Sequence, residues 1–512
     1  MCYNAKMQSI IYVLDFGSQY SHLITRRIRE LGVFAELVAP NIDLNKLKEA
    51  KGIILSGGPQ NLSDSNALKV NKKIFDLGVP ILGICYGMQL TAFMLGGKVK
   101  AGKKKEYGPT EIKISKHPLF VGLKIDQMTW MSHGDQVAKM PKGFIKIANS
   151  ENCPISAMAN NSKKMYGLQF HPEVAHTPSG TKILDNFLKI CKIKRIWSMK
   201  DFINKSVKNI HQQVGLDRAV CALSGGVDSA VAATLVHKAI GKKLICIYVN
   251  TGLMRKDETE QIVKTFKKYQ KIDLRVINAK KEFLSKLKGI SDPERKRKII
   301  GELFIRVFEK EAKKLGKVKW LVQGTLYPDT IESSKSVGKN ADVIKSHHNV
   351  GGLPEKIGFK LLEPLRELYK DEVRKLGKLL KLPDSITYRQ PFPGPGLAIR
   401  IMGAVTEEKL NLVRQADKII CDEIELAKVN TQQYLAVLLP VRSVGVQGDA
   451  RTYGHPIVIR AVTTEDLMTA HWAKLSLSLL EKISMRITNE VKEINRVVYD
   501  ITSKPPGTVE WE

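Results

Sequence analysis

Two glycine-rich turns constrain what this chain can fold into more than any other feature. Gly83-Ile84-Cys85-Tyr86-Gly87 ends the apolar run Val79–Ile84, and Ser224–Ser229, which reads SGGVDS, follows the apolar run Ala219–Leu223. Glycine allows the tight strand-to-helix turn that each pattern predicts. Short apolar runs that alternate with helical segments are typical of α/β proteins with mostly parallel sheets. Functional residues of such sheets lie at the carboxyl ends of the strands, so both turns are candidate sites.

The length and composition indicate a globular protein of several domains. A chain of 512 residues exceeds the roughly 100–200 residues of one domain. No apolar run reaches the ~18 residues that span a bilayer, and Ile10–Leu14 is too short for a signal-peptide core. We therefore expect a cytoplasmic protein without membrane contact. The 7 cysteines include no C-x-x-C pair, which argues against a zinc site or a disulfide framework.

The apolar runs predict two parallel-sheet α/β domains followed by a small α+β domain. The α/β domains are expected at 9–196 and 197–391, and the third domain at 392–512. The proline- and glycine-rich segment Pro391–Gly396 marks the boundary between the second and third domains. The polar, glycine-containing stretch Pro328–Pro354 is of the kind that forms a mobile lid. The strands predicted for the first two domains are Ile10–Leu14, Gly52–Leu55, Val79–Ile84, Ala219–Leu223, Leu244–Val249 and Lys319–Val322.

The first turn has the features of a nucleophile elbow. Cys85 lies at the apex, where the N-terminus of the following helix favours a thiolate. The run Gly167–Glu173, which reads GLQFHPE, predicts a strand that ends at His171, the candidate base, with Glu173 placed to orient the imidazole. Backbone N–H groups of Gly58 and Tyr86 are candidate oxyanion donors. A single cysteine is most often an inert core residue, so the prediction depends on the combination.

The second turn has the features of a phosphate cradle. Successive N–H groups at Gly225, Gly226 and Val227, at the start of a helix, can bind phosphate oxygens. The hydroxyls of Ser224 and Ser229 add two more polar groups. The turn lacks the lysine of a Walker A motif, and a serine-capped turn without a ligand is the plainer alternative. Asp228 suits either Mg²⁺ bound through phosphates or a helix cap.

The motifs around the cysteine resemble those of class I glutamine amidotransferases. G-x-C-x-G, H-P-E and S-G-G-P are all present, the last as Ser56–Pro59. Members of that family hydrolyse the side-chain amide of glutamine and release ammonia. The resemblance implies a catalytic triad of Cys85, His171 and Glu173, and an oxyanion hole at Gly58 and Tyr86.

The SGGVDS turn resembles the PP-loop of ATP pyrophosphatases, which cut ATP to AMP and pyrophosphate. The segment Val249–Arg255 resembles a second element of that family, although Asn250 stands where aspartate is common. ATP as a substrate with Mg²⁺, and no tightly bound organic cofactor, are implied. The residues implied to bind ATP are Ser224, Gly225, Gly226, Val227, Asp228, Ser229, Val249, Gln323 and Gly324, and Asp228 is also the residue assigned to Mg²⁺, bound through the ATP phosphates.

Nearly the whole chain resembles the glutamine-hydrolysing GMP synthetases. The motifs include Gln323–Asp329, Ile344–Pro354 and the terminal Lys504–Glu512, which reads KPPGTVEWE. The resemblance implies xanthosine monophosphate (XMP) as acceptor and a homodimer formed by the third domain. It places Asp329, Glu332, Lys345 and His347 on a lid over the adenylated intermediate. It places Arg297, Asp449, Lys504 and Glu510 against XMP.

Several alternatives compete with this interpretation. The net charge of +31 suits nucleic-acid binding, as in a tRNA-modifying PP-loop enzyme, but no RNA-binding module is evident and we expect no nucleic-acid partner. A regulator that has kept the fold and an NAD synthetase are two further candidates. We also expect Arg295 and Lys296 to lie on a solvated helix face, and the terminal segment to dock rather than fray.

Overall fold

The chain divides into two compact units, Met1–Asp201 and Phe202–Glu512. The computed structural model describes residues 10–62, 64, 66–330, 359–464 and 469–512. Within these ranges, no helix combines the length and the apolar character that crossing a bilayer requires. The further predicted boundary, between residues 391 and 392, stays a prediction.

The first unit contains nine strands and four α-helices among its described residues. The strands are β1 (Ile10–Leu14), β2 (Phe34–Val38), β3 (Gly52–Leu55), β4 (Ile81–Ile84), β5 (Lys98–Ile114), β6 (Asp126–Lys139), β7 (Ile145–Asn149), β8 (Ala157–Asn160) and β9 (Met165–Leu168). The helices are α1 (Ser21–Glu30), α2 (Leu44–Lys48), α3 (Tyr86–Met94) and α4 (Gly180–Ile190).

All nine strands form one sheet in the order β2-β1-β3-β4-β9-β8-β7-β5-β6. The first five are parallel, and the rest pair in antiparallel fashion. Strands β1, β3 and β4 are buried along their whole length, which explains their continuous apolar sequences. The predicted strand before the candidate base is shorter than expected, because it ends at Leu168 and leaves His171 in the turn beyond it.

The second unit begins within helix α5 (Met199–Val214). Its other helices are α6 (Val227–Ile240), α7 (Glu258–Val263), α8 (Lys280–Leu287), α9 (Pro293–Lys313), α10 (Lys370–Leu379), α11 (Asp384–Thr387), α12 (Glu407–Leu426) and α13 (Leu477–Glu490). Its strands are β10 (Ala219–Ala222), β11 (Leu244–Asn250), β12 (Asp273–Asn278), β13 (Trp320–Val322), β14 (Lys360–Leu362), β15 (Gln433–Leu438), β16 (Ser443–Gln447), β17 (Ala450–Thr463), β18 (His471–Trp472) and β19 (Ile494–Asp500).

Two sheets organise this unit. The first is parallel throughout, in the order β12-β11-β10-β13-β14. After β10, the strands β11 and β12 add to one side of it, and β13 and β14 then add to the other side. The strand order therefore reverses between β10 and β13, which makes this a topological switch point. Ligands of open α/β sheets bind at the carboxyl ends of such strands. In the second sheet, β15, β16 and β18 pair antiparallel with β17, and β19 pairs parallel with it.

Candidate active sites

Cys85 lies where strand β4 turns into helix α3. Its φ of 53° is in the left-handed region, which costs a non-glycine residue about 1–3 kcal/mol. A Cβ atom on Gly83 would lie 2.4 Å from the Gly87 carbonyl oxygen, and one on Gly87 would lie 2.2 Å from the Leu55 carbonyl oxygen. Because only glycine fits at both positions, the turn holds the thiol at the N-terminus of α3, where the helix dipole stabilises a thiolate.

His171 and Glu173 form a buried pair beside this thiol. His171 Nδ1 lies 2.7 Å from Glu173 Oε1, and the two side chains are 4% and 0% exposed. Burial by itself lowers the pKa of His171, but the Glu173 carboxylate and a hydrogen bond with Cys85 outweigh it and raise this pKa well above its usual value. Since Nδ1 faces Glu173, Nε2 is the ring nitrogen able to exchange a proton with Cys85. The geometry suits a thiolate–imidazolium couple.

The loop after β3 brings Gly58 next to the first turn of α3. The ideal Cβ position of Gly58 is 2.8 Å from the Phe16 carbonyl oxygen and 3.4 Å from the Tyr86 ring. That of Gly57 is 3.1 Å from His171 Cε1, so the same loop borders the base. Tyr86 begins α3, and helix geometry leaves its N–H without an intrahelical acceptor. The two predicted oxyanion donors therefore belong to adjoining segments.

Two buried glutamines near the thiol were missed by the sequence analysis. Gln169 Nε2 lies 3.7 Å from Cys85 Sγ. Gln89 Nε2 donates to Gln169 Oε1 at 3.3 Å and to the Asp135 carbonyl oxygen at 2.7 Å. Gln169 lies within the Gly167–Glu173 run and Gln89 lies two residues after Gly87, so proximity to these motifs was the available signal. Their amides add polar groups beside the nucleophile.

A second buried network lies on strands β5 and β6, where Glu106 and His133 are cross-strand partners. His133 Nε2 is 3.1 Å from Glu106 Oε2, and Nδ1 is 3.0 Å from the Asp135 carbonyl oxygen. Ser150 donates to the other Glu106 oxygen at 2.8 Å. Glu106, His133 and Cys153 form the one grouping of metal-type ligands among the described residues. Because Glu106 and His133 are already hydrogen-bonded to each other, we interpret the network as a structural one that stabilises β6.

The turn after β10 has the form of an anion cradle. Gly225 has a φ of +83°, and a Cβ atom there would lie 2.6 Å from Ile262 Cδ1. Gly226 caps helix α6, and its N–H donates to Ser224 Oγ at 3.3 Å. Ser224 Oγ lies 3.0 Å from Ser229 Oγ, on the exposed side of the turn. The first N–H groups of α6 lack intrahelical acceptors, so they can bind phosphate oxygens.

Asp228, in the first turn of α6, has one paired oxygen and one unpaired oxygen. Oδ2 accepts from Lys370 Nζ at 2.6 Å, whereas Oδ1 is buried without a hydrogen-bond partner in the part of the chain that the structure describes. The ideal Cβ position of Gly324 is 3.1 Å from Asp228 Cβ, so Gln323 and Gly324 border the cradle at the end of β13. An orphaned carboxylate oxygen fits a hard cation such as Mg²⁺.

Asn250 keeps the local turn despite its departure from the family pattern. It ends β11 directly after the buried Val249. Its Oδ1 atom accepts a hydrogen bond from the Gly252 N–H at 3.0 Å. An aspartate would accept the same bond, so the turn itself requires an oxygen and no charge.

The residues implied to contact XMP have different surroundings. Arg297 Nη1 lies 3.6 Å from Glu294 Oε1 on helix α9. Asp449 is exposed in the turn between β16 and β17, and Lys504 forms an isolated antiparallel bridge through its backbone. The carboxylate of the fourth residue, Glu510, is paired with a buried arginine, Arg400.

The terminal segment docks, as predicted. Arg400 donates from Nε and Nη2 to the two carboxylate oxygens of Glu510, at 3.0 and 2.9 Å. Lys296 pairs with Glu512 and donates to the Ile401 carbonyl oxygen at 2.8 Å. The expectation of a solvated Lys296 is therefore wrong, because its side chain is fully buried by the docked terminus. Burial lowers the pKa of Lys296 despite the opposing effect of Glu512.

The predicted lid falls largely on residues for which no structure is given. Asp329 lies within the described part and accepts from the Leu326 N–H at 2.9 Å. Glu332, Lys345 and His347 lie outside the described residues. Their roles stay predictions.

Models of three known families match separate segments of the chain. The model described as glutamine amidotransferase class-I matches residues 12–191, and the one described as NAD synthase matches residues 196–296. The one described as GMP synthase C terminal domain matches residues 422–511. Fold and sites together thus define a class I glutamine amidotransferase joined to an ATP-using α/β synthetase.

Curated relatives match the chain over its length. A glutamine-hydrolyzing GMP synthase from Clostridium tetani is 54% identical over 511 residues, which cover 99% of this chain and 100% of the relative. One from Acetivibrio thermocellus is 56% identical over 510 residues, which cover 98% of this chain and 99% of the relative. The chain therefore belongs to the family of glutamine-hydrolysing GMP synthases.

Proposed function

We propose that this chain is a ligase that makes GMP from XMP, with glutamine as the nitrogen source and ATP as the energy source. The observation that carries the proposal is the presence, in one polypeptide, of two unlike sites. One is the buried Cys85–His171–Glu173 constellation, and the other is the glycine cradle at the switch point of a parallel sheet. Family membership supports the same conclusion.

Glutamine hydrolysis is assigned to the first unit. The Cys85 thiolate attacks the side-chain carbonyl carbon of glutamine, and the N–H groups of Gly58 and Tyr86 stabilise the oxyanion. The His171 imidazolium gives its proton to the leaving ammonia. His171 then takes a proton from water, which cleaves the thioester and releases glutamate. Glu173, at 2.7 Å, holds the imidazole in the required orientation.

Activation of XMP is assigned to the second unit. The C2 oxygen of the xanthine ring attacks the α-phosphate of ATP, pyrophosphate leaves, and an adenylated intermediate forms. Ammonia then attacks C2, AMP departs with the oxygen, and GMP results. The cradle from Ser224 to Ser229 would hold the phosphates through backbone N–H and hydroxyl groups, and Gly324 lies beside Asp228 at its border. Val249 and Gln323 are proposed as further ATP contacts from the family resemblance.

Mg²⁺ fits this site on the donor atoms that the chain provides. Asp228 Oδ1 is the buried oxygen without a hydrogen-bond partner in the described residues, and Lys370 balances the other oxygen. The ion would neutralise charge that develops on the phosphates when bound. The chain's own contribution is to place one carboxylate beside the cradle.

The remaining assignments follow the family resemblance. We propose that Arg297 and Lys504 bind the XMP phosphate, since guanidinium and ammonium groups suit that anion. We propose that Asp449 and Glu510 accept hydrogen bonds from the ring or the ribose. The lid residues would be Asp329, Glu332, Lys345 and His347.

A homodimer in the cytoplasm is the proposed state of the protein. The β16–β17 hairpin exposes large apolar side chains, with Val446 at 75% and Tyr453 at 58% exposure. Apolar side chains gathered on one surface are typical of a subunit interface. The six described cysteines are free thiols, which fits a reducing compartment. Sedimentation velocity of the full chain tests the dimer.

The deciding experiment is product analysis with purified protein, XMP, ATP–Mg²⁺ and glutamine. The proposal predicts GMP, AMP, pyrophosphate and glutamate in equal amounts. ADP and phosphate in place of AMP and pyrophosphate would contradict it. A parallel reaction offers the acid precursor of NAD in place of XMP, because one segment matches the NAD synthase family model. Amination of that compound and not of XMP would favour the NAD synthase alternative.

A further inference from the structure

A largely buried chain of charged side chains crosses the second unit and begins at the PP-loop turn. Arg389 Nη1 donates to the Gly225 carbonyl oxygen at 2.9 Å, and the same guanidinium pairs with Glu258. Glu258 Oε2 in turn accepts a hydrogen bond from the backbone N–H of Arg255 at 3.0 Å. Arg255 belongs to the segment after β11 that resembles the second ATP-side element. The Arg389–Glu258 ion pair therefore links the two segments, because Arg389 is hydrogen-bonded to the turn and Glu258 accepts a hydrogen bond from the backbone of the Arg255 segment.

Asp417 continues the chain toward the C-terminus. Its Oδ2 atom lies 3.2 Å from Arg255 Nε, and its Oδ1 atom lies 3.2 Å from Arg400 Nη1. Arg400 then holds Glu510 through two hydrogen bonds. The side chains of Asp417 and Arg400 are 2% and 0% exposed. Each Asp417 oxygen thus faces a different arginine, one on the ATP side and one on the side of the terminal segment.

Charge balance explains why this network can be buried. The guanidiniums of Arg389, Arg255 and Arg400 are balanced by the carboxylates of Glu258, Asp417 and Glu510. The Phe392 ring lies 5.0 Å from the Arg255 guanidinium and 5.1 Å from that of Arg400, which adds cation–π contact. Removing one carboxylate would leave an uncompensated buried cation, so the remaining groups would have to move.

Helix α12 fixes the position of Asp417. The residue lies in the middle of this helix, and Oδ1 also accepts from the Ala436 N–H of β15 at 3.3 Å. Its carboxylate is therefore held by hydrogen bonds from Arg400 and from β15, and it forms an ion pair with Arg255, whose Nε makes no hydrogen bond among the described residues. A carboxylate held in this way sets the separation between Arg255 and Arg400, and through Arg400 the position of Glu510.

We propose that Asp417 is a positioning residue that fixes the XMP-side Glu510 relative to the ATP-side loop. The inference rests on the proposed function, because it takes Glu510 as an XMP contact. Asp417 touches neither substrate. It acts on the reaction through Arg400 and Arg255, so its loss changes substrate affinity and turnover together.

The test uses the full chain with ammonia as nitrogen donor, so that the glutaminase site does not limit the rate. In Asp417→Asn the charge between the two arginines is lost while the shape is kept. We expect the KM for XMP to rise about tenfold or more and kcat to fall, as expected when a bidentate partner is misplaced. Glutaminase activity, which belongs to the other unit, should be unchanged.

Glu423→Gln is the matched control. Glu423 is a buried carboxylate on the same helix and is also held by two cations, Lys482 and Arg486. We expect this variant to lose thermal stability and to keep the KM for XMP. If both variants lose stability but keep the wild-type KM for XMP, the inference is overturned.

Arg400→Lys covers the case in which Asp417→Asn does not fold. Lysine keeps the positive charge and loses the fork that holds Glu510. A raised KM for XMP in a protein that melts cooperatively supports the inference, and an unchanged KM overturns it. If the wild-type chain itself makes no GMP, the proposed function has failed. If the wild type makes GMP and both variants bind XMP normally, only the positioning role has failed.

Discussion

The two candidate sites differ in how far their groups are already assembled. In the first unit, Cys85, His171 and Glu173 are all buried, and His171 interacts with both of the others. In the second unit, Ser224 is exposed, Ser229 is half-buried, and Asp228 is paired with a partly exposed Lys370. The groups of the first site are therefore already buried and paired, whereas groups of the second site remain accessible to a ligand.

The chemistry of each reaction explains this difference. Attack by a thiolate needs a proton acceptor and an oxyanion site within hydrogen-bond reach, and burial strengthens each of these electrostatic contacts. Nucleotide binding brings several negative charges into the site, so its N–H groups and cations must remain accessible beforehand. Changes in the first site should therefore affect one nitrogen source, and changes in the second should affect both.

The largest effect is expected for Cys85→Ala. Without the thiol no thioester forms, and glutamine-dependent GMP synthesis should fall by roughly 10³-fold or more. Synthesis from ammonia should stay near the wild-type rate. Cys191→Ala, which removes another buried thiol of the same unit, is the control and should keep both activities. Equal losses with glutamine and ammonia in Cys85→Ala would break the comparison.

Asp228→Asn should lower synthesis from both nitrogen sources, by about 10²-fold, because activation of the acceptor precedes amination on either route. Steady-state rates with glutamine and with ammonia provide the measurement. Asp217→Asn serves as the matched control, since Asp217 is also paired with a lysine, Lys319, at 2.8 Å. Wild-type ammonia-dependent synthesis in Asp228→Asn would remove this residue from the site.

Glu173→Gln should reduce glutaminase turnover about tenfold, since the base loses its orienting charge. The substitution also tests a pH dependence. The pKa of His171 is raised in the folded protein, so the His171–Glu173 ion pair contributes its full stabilisation below the pKa of an unfolded histidine, about 6.5. This stabilisation is lost as the pH rises through the raised pKa of His171.

The difference in Tm between wild type and Glu173→Gln should therefore be largest near pH ~6 and should shrink as the pH rises. Thermal melts in buffers of increasing pH give the measurement. A difference that grows toward alkaline pH would contradict the assigned direction of the His171 shift.

The smallest effect is expected for Asn250→Asp. Because aspartate can accept the same bond from the Gly252 N–H, the KM for ATP should change by less than about twofold. Asn250→Ala removes the acceptor and should raise this KM more than the aspartate variant does. A large change in Asn250→Asp would mean that charge at this position matters beyond the turn.

The parallel strands could be predicted from sequence, and the antiparallel half of the first sheet could not. Ile10–Leu14 and Gly52–Leu55 have the predicted bounds because both of their faces are buried and their sequences are continuously apolar. Strand β6 alternates buried and more exposed residues and contains many polar side chains. Only its pairing with β5 makes that sequence a strand.

The candidate sites were predictable where their residues are close in sequence. The turn at Cys85, the His171–Glu173 pair and the PP-loop turn are each a local pattern. Glu106 and His133 are joined by strand register, and Arg400 and Glu510 are joined over 110 positions, so spacing carried no signal for them. Lys296 was misjudged for the same reason, since its partner is the terminal residue of the chain.

The most direct test of the central claim follows the nitrogen atom. The wild-type protein is incubated with XMP, ATP–Mg²⁺ and glutamine labelled with ¹⁵N in its side-chain amide, and the purine products are analysed by mass spectrometry. The account predicts ¹⁵N in the 2-amino group of GMP and one pyrophosphate for each GMP formed. Glutamate and labelled ammonia without labelled GMP, or GMP formed without pyrophosphate, would contradict it.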